Sequence, residues 1–221
     1  MPEAARALHE LEPFLAHCRV RQYAARAPII RQGDAATELF LIVRGSVSVM
    51  LADEHGREIV LAYLNAGEFF GEIGLFVQDE GRSALVRARS DCAVAQISYV
   101  RLRELTELYP QVLIAMTGQL ARRLRATNRK LGDLAFMDVY GRLAHALLEL
   151  CEQPDAEVQA AGTLVRVTQQ ELARLIGCSR EMVGKVLKEM EQQKHVVLQG
   201  RSILLPGVKP KSRGTGRAVA K

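Results

Sequence analysis

The apolar positions change period twice along the chain. Between residues 20 and 97 they form short runs or alternate with polar neighbours. Leu39–Val43 is continuous, Val47, Val49 and Leu51 alternate, and Ile59–Leu64, Ala84–Ala88 and Cys92–Ile97 follow. Alternation is the period of a half-buried strand. Gly33, Gly45, Gly56 and Gly67 separate the runs at intervals of 11 to 12 residues, with a turn cluster at Asp53-Glu54-His55-Gly56. This spacing predicts short antiparallel strands in a sandwich or barrel. A short amphipathic stretch with Leu8, Leu11 and Leu15 precedes them, and Ser98–Leu108 turns helical after them.

From Pro110 to about Phe136 the steps become four and three in alternation: Leu113, Thr117, Leu120, Leu124, Thr127, Leu131, Leu134. That is the seam of a left-handed coiled coil, with two threonines among its leucines. Pro110 suits a first helical turn, and Gly118 and Gly132 weaken the helix by roughly 1 kcal/mol each without breaking it. At 1.5 Å per residue the stretch runs roughly 40 Å, too long for one face of a small domain. The pattern predicts a helix buried against a copy of itself; a core helix within one subunit is the competing reading. Arg122, Arg123, Arg125, Arg129 and Lys130 read as the solvated flank of that seam.

Beyond Phe136-Met137 the elements shorten. Asp138 is a good N-cap for a helix carrying Val139, Leu143, Leu147 and Leu150, and Gln153-Pro154-Asp155 ends it. Thr168 and Glu171 form a capping box ahead of Leu172, Leu175 and Ile176. Gly177 permits a turn, and Ser179 caps a helix that carries Val183, Val186, Leu187 and Met190 inward. Ala173 is small where two helices cross. Helix, short turn and helix make a helix-turn-helix, and His195–Leu198 with Ile203–Leu205 make a hairpin, hence a wing. Arg180, Glu181, Gly184, Lys185 and Lys188 fall outward on the second helix. Arginine can bond guanine bidentately, and glutamate can accept from the cytosine amino group. A helix merely solvated by ion pairs is the plainer alternative.

Composition narrows the class. With 221 residues, 48% of them hydrophobic, the chain can bury a real core and suits two modest domains. Cys18, Cys92, Cys151 and Cys178 are scattered, which argues against structural zinc, an iron–sulfur cluster or a disulfide framework and suits reduced thiols in a cytoplasm. No apolar segment suits a signal peptide or a membrane span, the longest uncharged run being Leu108–Ala121. The five bases among residues 209–221 account for the whole net charge of +5: removing them from the 30 Lys and Arg leaves 25, equal to the 25 Asp and Glu. Overall charge therefore says nothing about nucleic acid, and local patches must. The scattered histidines, and the lack of a Ser/His/Asp grouping or a phosphate-binding Walker loop, argue against an enzyme.

One cassette carries candidate chemistry. Gly67-Glu68-Phe69-Phe70-Gly71-Glu72-Ile73-Gly74-Leu75-Phe76 is followed by Arg82-Ser83-Ala84. Glycines and a short helical turn expose backbone N–H groups to an anion, Arg82 adds a fork that matches phosphate oxygens, and Ser83 adds a hydroxyl. Glu72 beside a phosphate needs a different partner, and a ribose hydroxyl fits. Taken alone, the same residues also read as turn glycines and a surface ion pair.

In combination the motifs resemble the cyclic AMP receptor protein (catabolite activator, CRP/FNR) family of transcription regulators. The residues carrying the resemblance are Arg44-Gly45-Ser46-Val47, Ala62-Tyr63-Leu64-Asn65, Phe70 to Phe76, Arg82 to Ala88, Leu131 to Phe136 and Ile176 to Glu181, in register from about Phe14 to Leu205. The resemblance implies an α+β chain with a cyclic-nucleotide-binding β-roll (1–109), a dimerisation helix and hinge (110–137) and a winged helix-turn-helix (138–208). Residues 209–221 extend past the usual family end, and their Lys, Arg, Gly and Ser content predicts a basic, disordered tail. The resemblance also implies 3′,5′-cyclic AMP as allosteric ligand, with no metal or further cofactor. The nucleotide would meet Gly71, Glu72, Ile73, Gly74, Arg82, Ser83 and Thr127, with Asn128 reaching it from the partner subunit. Double-stranded DNA with a TGTGA-like palindrome would meet Thr168, Gln169, Gln170, Ser179, Arg180, Glu181, Lys185 and Lys188. A homodimer would close along Leu113, Thr117, Leu120, Leu124, Leu131 and Leu134, and Phe136 and Asp138 would form the hinge. RNA polymerase is an implied partner, and a membrane is not.

Four positions depart from the family pattern. Asn128 replaces a serine, Ala62 a hydroxyl residue, Lys185 an arginine, and Val158 a threonine in the polymerase-contacting loop. Lys185 exchanges a bidentate fork for a point charge and predicts looser reading of its base. Asn128 and Ala62 leave open a response to another nucleotide such as cyclic di-GMP, or DNA binding without ligand. A cyclic-nucleotide-sensing subunit that regulates a protein partner is a third reading.

Overall fold

A computed structural model describes residues 3–77 and 81–210. Lys211, Arg213, Arg217 and Lys221 of the basic tail lie outside the described residues. The chain forms two compact units, Met1–Lys130 and Leu131–Lys221.

In the first unit, α1 (Glu3–Glu10) and α2 (Glu12–Leu15) lead into eight short strands. These are β1 (Arg19–Tyr23), β2 (Pro28–Ile30), β3 (Glu38–Arg44), β4 (Ser46–Ala52), β5 (Glu58–Asn65), β6 (Phe69–Phe70), β7 (Leu85–Ala88) and β8 (Cys92–Ser98). They make two antiparallel sheets, in the orders β1-β8-β3-β6 and β2-β7-β4-β5. β3 explains the continuous apolar run at 39–43. Phe40 and Ile42 pack between the sheets with Val47, Leu64, Val86 and Val94. Leu39 and Leu41 face the opposite way, onto Phe14, Leu102, Leu105, Val112 and Met116. A strand buried on both faces loses the alternation that marks a half-buried one.

Three strands escaped the apolar pattern. β1 reads Arg-Val-Arg-Gln-Tyr because it is a largely exposed sheet edge, where charge discourages pairing with another chain. β2 and β6 are too short to show a period. The helical turn after Ser98 is α4 (Tyr99–Leu105), and Ser98 caps it by accepting from the Arg101 amide at 3.2 Å. Between β6 and β7 lies a four-residue turn of helix, α3 (Ile73–Phe76).

The long helix α5 spans Pro110–Phe136, as its pattern predicts. Val112, Met116 and Gln119 are its buried residues, and each stands one position before a seam residue. The seam itself is left open lower down: Leu124 is 63% exposed, Leu131 61% and Leu134 53%. Among the described residues no helix is long and apolar enough to cross a membrane.

The second unit holds α6 (Val139–Cys151), α7 (Gln169–Ile176) and α8 (Arg180–Gln192), beside strands β9 (Glu157–Gln159), β10 (Gly162–Arg166), β11 (Val197–Gln199) and β12 (Ser202–Pro206). The expected caps form. Asp138 accepts from the Gly141 amide at 2.8 Å, and Ser179 accepts from the Met182 amide at 3.1 Å. Thr168 and Glu171 exchange both bonds of the capping box, at 2.9 and 3.2 Å. α7 ends on Gly177 in the left-handed conformation. Leu143, Leu147, Leu172, Val183 and Leu187 are almost fully buried and join the three helices. The wing is wider than a hairpin: β10 pairs with both β12 and β9, giving a sheet in the order β11-β12-β10-β9. Residues 156–163 are thus not simply a loop but supply an edge strand and the start of β10.

Candidate nucleotide cleft and DNA-reading surface

The cassette builds an open cleft lined by Gly71, Glu72, Ile73, Gly74, Gly81, Arg82, Ser83 and Ala84, with Ile30, Val49 and Val86 as its apolar wall. Its base is set by Gly71, whose φ of +78° favours glycine. A Cβ there would lie 2.8 Å from Arg82 Nη1 and 3.0 Å from the Phe40 ring.

Arg82 is buried, which corrects the picture of a surface ion pair. Its Nη1 donates to the Gly71 carbonyl and the Tyr99 hydroxyl, both at 3.0 Å, and Nη2 donates to the Glu38 carbonyl at 2.8 Å. The guanidinium also lies 5.3 Å from the centre of the Phe40 ring, which stacks on Phe70. Its backbone is pinned as well, the Arg82 amide donating to Asp34 and the Gly33 amide to Arg82. Tyr99 donates its hydroxyl to the Gly71 carbonyl. Burial raises the Tyr99 pKa, and the nearby Arg82 charge opposes the shift.

Glu72 is equally buried, and its partner is Arg123 of α5: Nη1 stands 3.1 Å from the carboxylate, while Nη2 donates to the Phe69 carbonyl. Arg123 is therefore not solvated flank but part of the cleft's support. The signal was present in the sequence: Val112, Met116, Gln119 and Arg123 repeat the four-three-four spacing one residue behind the seam. Ser83 is exposed at the rim. Thr127 and Asn128 are exposed on α5 and do not line the cleft of the single chain.

On the second unit Ser179, Arg180, Glu181, Lys185 and Lys188 are exposed along α8 while Val183, Val186, Leu187 and Met190 are buried beneath them. Thr168, Gln169 and Gln170 are exposed at the start of α7. Gly184 lets the two groups approach: a Cβ there would sit 3.2 Å from Gln169 Oε1. Near the junction with α5, Phe136 is 90% exposed, and His145 of α6 stands 3.1 Å from Asp133.

A β-roll with an open cleft over buried Arg82 and Glu72, followed in the chain by a long helix and a helix-turn-helix with a wing, is the plan of a ligand-sensing DNA-binding protein. Residues 20–109 match the cyclic nucleotide-binding domain family and residues 141–208 the Crp-like helix-turn-helix domain family. The cAMP-activated global transcriptional regulator Vfr of Pseudomonas aeruginosa is 47% identical over 205 residues, covering 91% of this chain and 96% of Vfr. The cAMP-activated global transcriptional regulator CRP of Salmonella typhimurium is 45% identical over 199 residues, 90% of this chain and 95% of that protein. Among solved structures, the c-di-GMP responsive global regulator CLP of Xanthomonas campestris superposes with a TM-score of 0.85 at 41% identity, over 90% of this chain and 99% of CLP. The chain belongs to the CRP family of transcription regulators. It is a DNA-binding, cyclic-nucleotide-binding protein, and its relatives are regulators rather than enzymes.

Proposed function

We propose that two copies of the chain act as a homodimer whose affinity for a TGTGA-like palindrome is set by cyclic AMP. The observation that carries this reading is the convergence of buried Arg82 and Glu72 on one cleft beside Ser83. Three of the five donors of the Arg82 guanidinium hold the cleft together, which leaves two for a cyclic phosphate. Ser83 adds a hydroxyl at the rim. Glu72 keeps lone pairs beyond its bond to Arg123 and can accept from a ribose hydroxyl. Ile73 and Gly74 contribute their backbone at the same wall.

Dimerisation is supported by the exposed lower seam of α5, Leu124, Leu131 and Leu134. Closing it would bring Thr127 and the partner's Asn128 to the base. The nucleotide would then touch both helices and favour one setting of the pair over another, by no more than its differential affinity for the two. Phe136 and the Asp138 cap would carry that setting to α8, where Arg180 and Glu181 read base edges and Lys185, Lys188, Thr168, Gln169, Gln170 and Ser179 supply further contacts. RNA polymerase is a further proposed partner, through the edge strand that exposes Val158. The reduced cysteines and the DNA target suit action in the cytoplasm.

A second reading, the same fold answering to cyclic di-GMP, is favoured by the likeness to CLP and by Asn128 and Ala62. Calorimetry of the full chain against cyclic AMP, cyclic GMP and cyclic di-GMP separates the two, with sedimentation reporting the dimer. Saturable binding of cyclic AMP to a dimer is the expected result. Binding of cyclic di-GMP alone selects the second reading, and a monomer without nucleotide affinity rejects both.

A further inference from the structure

Helix α5 has two adjacent stripes to aim. Val112, Met116, Gln119 and Arg123 face the chain's own β-roll, and Leu113, Thr117, Leu120 and Leu124 follow each by one residue. One residue is about 100° around a helix, so turning α5 on its axis by that angle would exchange the two. Val112 and Met116 pack in an apolar cluster, and such contact is not directional. The rotation has to be set by directional bonds.

Gln119 supplies two of them. Its Oε1 accepts from the Phe69 amide at 2.8 Å and its Nε2 donates to the Gly67 carbonyl at 2.9 Å. On the other side the same segment pairs with β3, through the Gly67 amide to Ile42 and the Ile42 amide to Glu68. β6 is the edge of its sheet, and the Gln119 amide occupies the place where a next strand would bond. Gln119 is 6% exposed, so an apolar replacement would leave two backbone groups buried and unpaired. One turn later Arg123 holds the Phe69 carbonyl and Glu72. Together the two side chains tie α5 to the segment from Gly67 to Glu72, and that segment ends in the cleft. Further along, Lys130 Nζ donates to the Leu61 carbonyl at 2.8 Å, a tie on a flexible stem.

We propose that Gln119 is a positioning residue that fixes the rotational setting of α5 against the Gly67–Glu72 segment, so that a change in the cleft is transmitted to the direction in which the seam faces. The proposal rests on the reading that the cleft binds cyclic AMP and that α5 dimerises. Gln119 belongs neither to the cleft lining nor to α8. Its effect is on the coupling between them, which is a ratio of affinities and separable from either one.

The test compares the full-length wild type with Gln119→Leu and with Gln119→Glu, which keeps the acceptor for Phe69 and loses the donor to Gly67. Calorimetry gives the cyclic AMP affinity, and anisotropy on a TGTGA/TCACA duplex gives DNA affinity with and without the nucleotide. Gln119→Leu should bind cyclic AMP within about threefold of wild type while its nucleotide-induced gain in DNA affinity falls by about tenfold. Gln119→Glu should lie between them and keeps the test decisive should the leucine variant fold poorly. A full gain in both variants overturns the proposal, as does a parallel fall of nucleotide affinity, DNA affinity and melting temperature in Gln119→Glu, the mark of a merely structural residue. A wild type that ignores cyclic AMP overturns the functional reading and this proposal together, whereas a responsive wild type with fully responsive variants removes the proposal alone.

Discussion

The two sites of this chain treat their charged residues in opposite ways. In the cleft, Arg82 and Glu72 are 8% and 6% exposed and already hold carbonyls, a phenol and a second arginine. On α8, Arg180, Glu181, Lys185 and Lys188 stand in solvent above a packed apolar face. A ligand entering the cleft would share Arg82 and Glu72 with the partners they already hold. The four exposed α8 side chains have no such ties among the described residues and are free to meet a partner as they stand. On the proposed reading, the cleft converts binding into movement and the α8 surface is what moves.

The sharpest way to break this contrast is Arg82→Leu. It removes the phosphate fork together with the ties to Gly71, Glu38 and Tyr99, so calorimetry should show cyclic AMP affinity lower by about a hundredfold or more. The melting temperature should fall as well, since buried carbonyls lose their donors. Unchanged nucleotide affinity would mean that Arg82 serves the fold alone. Arg180→Ala should have the opposite profile. Loss of one base pair's discrimination, about 1–3 kcal/mol, corresponds to DNA affinity lower by about 5- to 150-fold with relaxed specificity at one position. Cyclic AMP affinity and melting temperature should stay at wild-type values in that variant.

The smallest effect concerns Tyr99. Burial lifts its phenol above the ordinary value of 10.0, with Arg82 opposing. A folded-state pKa above the unfolded one contributes stability that is complete below pH about 10 and lost as pH rises through the raised value. Wild-type melting temperature should therefore drop more steeply than that of Tyr99→Phe as pH climbs past 10. Parallel curves would show that the phenol stays out of the cleft's support.

Much of this architecture was legible in the sequence because its signals are local. The Asp138, Thr168 and Ser179 caps bond amides three residues on, and the seam of α5 repeats without interruption. What escaped depends on contacts distant in sequence. β1 looks polar because it is an edge, and β9 looked like loop because it is a three-residue edge strand completed by β10. Arg123 was the instructive miss. Its charge suited a solvated flank, and Glu72 and the Phe69 carbonyl, 51 and 54 positions away, turn it inward. The cassette gathers around Gly71 and Arg82 as one cluster, but the internal bonds of Arg82 to Glu38 and Tyr99 leave no mark in local spacing.

The central claim is that a cyclic nucleotide in the cleft sets the grip of α8 on DNA. Anisotropy of a labelled TGTGA/TCACA duplex titrated with the full chain at one fixed salt concentration, with and without saturating cyclic AMP, tests it directly. The account predicts that the nucleotide tightens binding by about tenfold or more. The same dissociation constant in both titrations would contradict it.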